Sequence, residues 1–314
     1  MGQFSQNRQF ADLLKQLKTD ISLARHNQDL LDTIQMVKDY PGPLKFNNLW
    51  LYIVAAIFAT ASVLVWLQSA NWIKTAIPAA AALLAIFYAI KRNRRLKNLA
   101  KDAFFKSILI DNQLSLINLP IGDFKRLFCG FKQGNHKNEI KQAYQSDNGF
   151  IVFHYHYVER EKDHDDKHYH DEHFHRYGIV MSLDETSYDY NGVVICHSKP
   201  EDARFQERFK PAYNKFNRKL KAYGKNQMQL ARLLTPVVVE KLAEYEDILS
   251  DMLVQISGNQ LCIYGELELM QHNSTPYDYT TPDEFAKDIL IHEQFDNLNQ
   301  ILALANTLRR EHQP

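Results

Sequence analysis

The sequence predicts a membrane protein with two transmembrane α-helices, paired as a helical hairpin, plus a cytoplasmic α+β domain. Three observations carry this. An uncharged apolar run over 49–67 is followed, after a short polar connector, by a second over 75–90. A dense basic stretch comes directly after the second run. Beyond residue 118 the pattern changes to short segments rich in Val, Ile, Phe and Tyr, alternating with helical ones.

The first run, LWLYIVAAIFATASVLVWL, extends roughly 28 Å as a helix, about one hydrocarbon core. The second, TAIPAAAALLAIFYAI, reaches the same length if Trp72 and Ile73 are interfacial and Lys74 snorkels. Pro78 lies near its start, where a helix tolerates proline best. Trp50, Trp66 and Trp72 are all the tryptophans of the chain, and each falls at a boundary of the runs. That placement favours a membrane hairpin over the buried core hairpin of a soluble protein. The hairpin is assigned to 47–91.

Residues 91–101, KRNRRLKNLAK, hold six Lys or Arg and no acid, whereas the connector holds Lys74 alone. The positive-inside rule then places both termini in the cytoplasm of a multi-pass inner-membrane protein. The basic cluster is also suited to anionic lipid headgroups.

Ahead of the hairpin, residues 1–40 read as one amphipathic helix. Phe10, Leu14, Leu17, Ile21 and Ala24 make a heptad-like stripe, which Leu31, Ile34 and Val37 continue after a polar break at Gln28, until Pro41-Gly42-Pro43 ends it. After the hairpin, residues 92–118 read as a basic, amphipathic stalk helix through Leu96, Leu99, Phe104, Ile108 and Ile110. The two helices either pack on each other within the chain or make a homo-oligomer.

Residues 119–314 are expected to form the α+β domain. Strands are expected at 149–158, 172–182, 192–197, 252–256 and 260–269, the last two joined at Ser257-Gly258-Asn259. The segment 200–222 has helix-compatible spacing. Thr235-Pro236 opens a helix to about Ser250, and Thr281-Pro282-Asp283-Glu284 reads as a capping box opening one that runs to about Arg309.

The charges balance, with Lys+Arg 37 and Asp+Glu 37. That excludes a globally basic nucleic-acid binder, so the expected partners are the lipid bilayer and a protein not identifiable from sequence. Cys129, Cys196 and Cys262 are scattered and form no CxxC pair, as suits a reducing compartment. The chain contains no GxSxG, GxGxxG or GxxxxGK[ST]. His292-Glu293 begins an HExxH-like string, but Asp296 stands where the second histidine belongs. Cys196 has only the adjacent His197 as a base. No catalytic residues are assigned, and the chain is expected not to be an enzyme.

Several residues of the second half carry a family resemblance: Phe205 and Phe216, Tyr223, Gln227, the run Ala231 to Pro236 leading into a helix with Leu242, and the strand Gln260 to Tyr264. Tyr190-Asn191-Gly192-Val193-Val194 adds a strand after an N-G turn. Together with the N-terminal helix, the closely spaced spans and the basic exit, these resemble the bacterial membrane family named domain of unknown function 3137. The resemblance implies location and fold but supplies no chemistry. The expected role is a non-enzymatic interaction or scaffold module.

The His-rich hairpin, 150–182, is the departure from that family pattern. Seven of the 13 histidines lie between His154 and His175, among Asp163, Asp165, Asp166, Asp171 and Glu172. Alternation puts His154 and His156 on one face of the first strand, and His173 and His175 on one face of the second. A hairpin centred between His164 and Asp165 sets His154 opposite His175 and His156 opposite His173. Four imidazoles on one patch suit Zn²⁺ or Ni²⁺, which makes a membrane-tethered metal-binding or metal-sensing protein the alternative to a scaffold. A solvated polar tip and a pH-responsive tip are the other readings of the segment. Phe150, Val152, Tyr177 and Ile179 are expected to carry the hairpin base into the core.

Overall fold

The computed structural model describes residues 3–69, 72–162, 169–183, 192–197, 205–245 and 253–310. The chain divides into two compact units. One comprises residues 1–111 and 274–293; the other comprises 112–273 and 294–314. Residues 112–118, expected in the stalk, thus lie in the second unit, and 274–293, expected in the α+β domain, lie in the first.

In the first unit the expected single N-terminal helix is two, α1 (Gln3–Leu23) and α2 (Asn27–Lys38). Asp29 makes the break. Its carboxylate accepts from the backbone N–H of Arg25 and of His26, which terminates one helix and caps the next. The stripe Phe10, Leu14, Leu17, Ile21 and Ala24 is buried within the chain, where α1 packs on α2 and α5 (Arg95–Asp111). The stalk helix is therefore a packed element: Leu96, Leu99, Phe104 and Ile108 are buried. α10 (Pro282–Ile289) closes the group against α2 and α5. The Tyr279 hydroxyl meets Thr33 Oγ1 at 2.9 Å, while Thr33 donates its own proton to the Leu30 carbonyl.

α3 (Leu49–Ser69) and α4 (Trp72–Asn93) form the apolar hairpin, and both are long and apolar enough to cross a membrane. Their buried positions are small: Ala55, Ser62, Ala82 and Ala89. Small residues let two backbones approach closely. Polar donors at the contact bond locally. Asn48 Nδ2 donates to the Ala89 carbonyl and to Asn93 Oδ1, and Ser62 Oγ donates to the Thr75 carbonyl. The large side chains point outward, with Leu67 74% and Ile77 71% exposed.

The second unit is built on a sheet that has nine strands among the described residues: β1 (Leu114–Ile117), β2 (Lys137–Ser146), β3 (Phe150–Lys162), β4 (Tyr169–Ser182), β5 (Val193–Cys196), β6 (Glu207–Phe209), β7 (Lys221–Gly224), β8 (Leu253–Ser257) and β9 (Gln260–Gly265). Every pairing is antiparallel, in the order β1-β2-β3-β4-β9-β8-β5-β7-β6. β1 replaces the end of the expected stalk helix, and the described part of the 200–222 segment, from 205 on, holds two short strands flanking α7 (Asn214–Lys219).

One face of β3 carries Phe153, Tyr155 and Tyr157 into an aromatic core with α6 (Ile121–Leu127), Phe128, Phe131 and Tyr264. Gln255, fully buried, ties that core to the sheet. Its Nε2 donates to the Leu127 carbonyl and its Oε1 accepts from Cys129 N.

α8 (Gln227–Leu233) is capped by Asn226 and α9 (Pro236–Glu244) by Thr235. The expected helix from Thr281 to Arg309 is interrupted at 290–295, and α11 (Asp296–Arg310) belongs to the second unit. The capping box at its start does not form. The Thr281 hydroxyl reaches the Asp278 carbonyl instead, and Glu284 pairs with Lys287.

Candidate functional site

The four histidines of the β3–β4 hairpin share one face, but the pairing differs by two residues from the expected one. His154 lies opposite Tyr177, His156 opposite His175 and Val158 opposite His173. Two features select this register. Phe153 lies opposite Gly178, where a Cβ would stand 2.8 Å from the Phe153 ring and 2.4 Å from the Ile263 carbonyl oxygen. Farther out, Arg160 faces Asp171 in a bidentate pair of 2.6 and 2.8 Å. The expected register would have set Arg176 against Phe153 and Glu172 against Tyr157, placing charge in the aromatic core.

A shift of two preserves the face. The expected partners therefore still meet, diagonally. His154 Nε2 is 2.9 Å from His175 Nδ1, and His156 Nε2 is 3.1 Å from His173 Nδ1. His156 links the two pairs, its ring centroid 4.8 Å from that of His175. The rings thus form a row, His154–His175–His156–His173. Tyr177 stacks on His154 at 4.5 Å and ends the row on the core side. Phe150, Val152 and Ile179 are buried behind it as expected, while Tyr177 is half-buried. His170 sits in β4 on the opposite face from the four, and His164 and His168 lie outside the described residues.

The row also contains a residue that the sequence reading omitted. Glu139 of β2 lies opposite His156, with Oε1 3.5 Å from His156 Nδ1. A β-bulge at Lys141 puts it there. Gln142 pairs with His154 but Ile140 with Tyr155, so the extra residue turns Ile140 into the aromatic core and Glu139 onto the histidine face. The signal was legible: Asn148-Gly149, with φ of +83° at the glycine, is a hairpin turn joining 137–146 to 150–162.

Contacts from Lys141 and Lys137 hold the Glu139 carboxyl down at about 2. Burial, then the neighbouring His175 and His156 and Lys141, lowers the His154 imidazole to about 4. His156 is lowered first by burial and then by His175. His154 and His156 are therefore neutral near pH 7. Beside the row, Lys141, Gln142, His154, Tyr177, Glu268 and Met270 line a cleft of about 380 Å³ that opens His154 to solvent. Among the described residues, no three His, Cys, Asp or Glu side chains converge on a common centre, because the imidazoles bond one another.

No protein-family model matches the chain, and no curated protein matches it. The resemblance to domain of unknown function 3137 therefore rests on the residues named for it. Among solved structures, the chain is similar to the mycobacterial trehalose monomycolate transport factor A, TtfA, at 11% identity and a TM-score of 0.34. The match covers 64% of this chain and 95% of that one. A superposition at that level assigns neither fold nor role.

The other sites considered from sequence resolve into structural contacts. Burial pushes the Cys196 thiol up to about 12 and raises that of Cys262. Cys196 donates to the Lys221 carbonyl, and His197 Nδ1 contacts the Lys219 carbonyl at 3.0 Å. His292 Nδ1 meets Asp111 Oδ1 at 2.9 Å, and Glu293 pairs with Ser274.

Proposed function

We propose that this chain is a two-pass protein of the inner membrane, with both termini cytoplasmic, that works by binding through its α+β domain rather than by catalysis. The observation that carries the membrane reading is the outer surface of the α3–α4 hairpin. Trp50, Ile57, Leu64, Leu67, Ile77, Leu83, Leu84 and Phe87 are all exposed there. An apolar surface of that extent is stable in lipid and not in water. The orientation rests on charge: six Lys or Arg between 91 and 101 at the exit of α4, against Lys74 in the connector.

Binding is favoured over catalysis because the Cys196 and Cys262 thiols are buried and His197, His292 and Glu293 are held in structural contacts. The apolar stripe of α1 is already covered by α2 and α5, so an oligomer built on it would have to unpack the first unit. The partner surface is better sought on the second unit, where Met228 of α8 and Val237 of α9 are large, apolar and exposed. Reporter fusions at residue 70 and at the C-terminus are expected to report opposite sides of the membrane, the C-terminal one cytoplasmic. A periplasmic C-terminus would overturn the orientation. Photo-crosslinkers at Met228 and Val237 are expected to yield discrete adducts in intact cells, and a blank at both would remove this surface as the docking face.

A further inference from the structure

We infer that the histidine face of the β3–β4 hairpin is a binding site for one late divalent transition-metal ion. His156, His173 and His175 are its ligands, His154 closes the fourth position, and Glu139 orients His156 from behind. The inference does not depend on the membrane reading.

The geometry is the first support. Two imidazole nitrogens bound tetrahedrally to one Zn²⁺, each at about 2.0–2.1 Å, stand about 3.3–3.4 Å apart. The facing nitrogens stand at 2.9 Å for His154 and His175, and at 3.1 Å for His156 and His173. Each pair needs to open by only a few tenths of an ångström to admit an ion. Joining the pairs requires the His175 ring to turn from His154 toward His156, whose ring is already 4.8 Å away. His173 and His175 are exposed, so this rotation unpacks nothing.

The second support is Glu139. A metal-bound histidine ordinarily directs its other ring N–H at a carboxylate, which fixes the tautomer and the ring plane. His156 presents Nε2 to His173 and Nδ1 to Glu139 Oε1, at 3.5 Å. The balance of protons agrees. Each imidazole pair holds one proton between its two nitrogens. When the ion takes its place, the ring that donated in each pair shifts that proton, through solvent, to its outward nitrogen; on His156 the outward nitrogen is Nδ1, facing the carboxylate, so every ring stays neutral. His156 is 5% exposed, so this ligand is held by its surroundings.

The donor set selects the ion. Three or four imidazole nitrogens suit Zn²⁺, Ni²⁺ or Cu²⁺. Mg²⁺ and Ca²⁺ require oxygen, and here Glu139 is engaged by Lys137 and Lys141 and Asp171 by Arg160.

The test is titration of the full chain in detergent with Zn²⁺ alone, followed by calorimetry, with Co²⁺ as a spectroscopic probe. The expected result is one ion per chain at micromolar affinity or tighter, with the intense visible absorption of tetrahedral Co²⁺. The pair His173→Gln with His175→Gln is expected to weaken binding by at least about 100-fold, and Glu139→Gln by about 10-fold, matching the usual cost of removing such a carboxylate. Unchanged circular dichroism would verify that these variants fold. His164→Gln with His168→Gln is expected to leave the affinity unaltered. The proposal is overturned if no Zn²⁺ binds at high micromolar concentration, if the His173/His175 pair binds as well as the parent, or if affinity is lost with His164 and His168 instead.

Discussion

Glu139 and His156 face each other across the β2–β3 ladder because the strand carrying Glu139 bulges at Lys141, which is left out of the pairing. Without the bulge at Lys141, Ile140 would oppose His156, and Glu139 would turn toward the aromatic core. A single irregularity thus sends an apolar side chain inward and aligns a carboxylate with the most buried of the four histidines. Deleting Lys141 is expected to make the pairing regular while keeping Ile140 opposite Tyr155 and Glu139 opposite His156, and to remove the Lys141 contact with the Glu139 carboxylate. Retained coupling between Glu139 and His156 would be read in imidazole NMR resonances that still respond to Glu139→Gln in the deletion variant, and resonances that no longer respond would show that the alignment needs the bulge itself.

The hairpin should be less stable in acid. The His154 imidazole lies at about 4 in the folded chain, against about 6.5 when unfolded, so between those values the unfolded chain binds more protons. Its contribution is fully present above pH 6.5 and is lost as the pH falls toward 4. The groups facing His154 are His175, His156, Lys141 and Tyr177, with Glu268 across the cleft. The difference corresponds to about 2–3 kcal/mol. Urea unfolding of metal-free protein, followed by tyrosine near-ultraviolet circular dichroism, should show the midpoint falling over this window. His154→Gln should flatten the slope.

Gly178 permits the sheet to close over Phe153. Adding a Cβ would bring it within 2.4 Å of both the Ile263 carbonyl oxygen and Tyr264 Cβ, and neither can retreat from a central strand. Gly178→Ala is expected to destabilise the second unit by about 1–3 kcal/mol, as overpacking does. Gly149→Ala meets open space but inherits a positive φ, so its smaller cost comes from the backbone alone. Denaturation midpoints of the two variants check the ranking.

Gln255→Leu should cost about 2–3 kcal/mol, although leucine fills much the same volume. It would leave the Leu127 carbonyl and the Cys129 amide without the partners they now have inside the sheet. Faster hydrogen exchange at the Cys129 amide, ahead of global unfolding, is the expected signature.

The sequence made the hairpin runs, the basic exit and the histidine face legible, because each depends on local spacing alone. Register was not legible, because it depends on which residue lies under Phe153 and on Arg160 meeting Asp171, both relations between strands. The break between α1 and α2 depends on one carboxylate, Asp29, bonding backward, and periodicity shows it only as a polar gap in the stripe at Gln28. Helix spacing over 200–222 misled for a similar reason. Its apolar residues serve two short strands and one turn of helix, each finding neighbours far away in the chain.

The basic cluster after α4 should control the orientation of the hairpin. Lys91, Arg92, Arg94, Arg95, Lys97 and Lys101 follow the second apolar helix within eleven residues, and the connector offers only Lys74 in opposition. Replacing Arg92, Arg94, Arg95 and Lys97 with glutamine leaves Lys91 and Lys101 and reduces the charge difference by four. A measurable fraction of chains is then expected to insert inverted, seen as C-terminal reporter activity appearing on the periplasmic side. Glutamine is preferable to alanine because some of these side chains also pack: the Arg92 guanidinium lies 3.9 Å from the centroid of the Phe46 ring, and Lys97 is 3.6 Å from Asp278. Lys38→Gln with Lys45→Gln serves as the control. Lys38 is bonded to Asp283, so its charge is already neutralised locally, and the pair should shift orientation far less. Equal shifts from both sets would mean that total charge, rather than this cluster, sets the orientation.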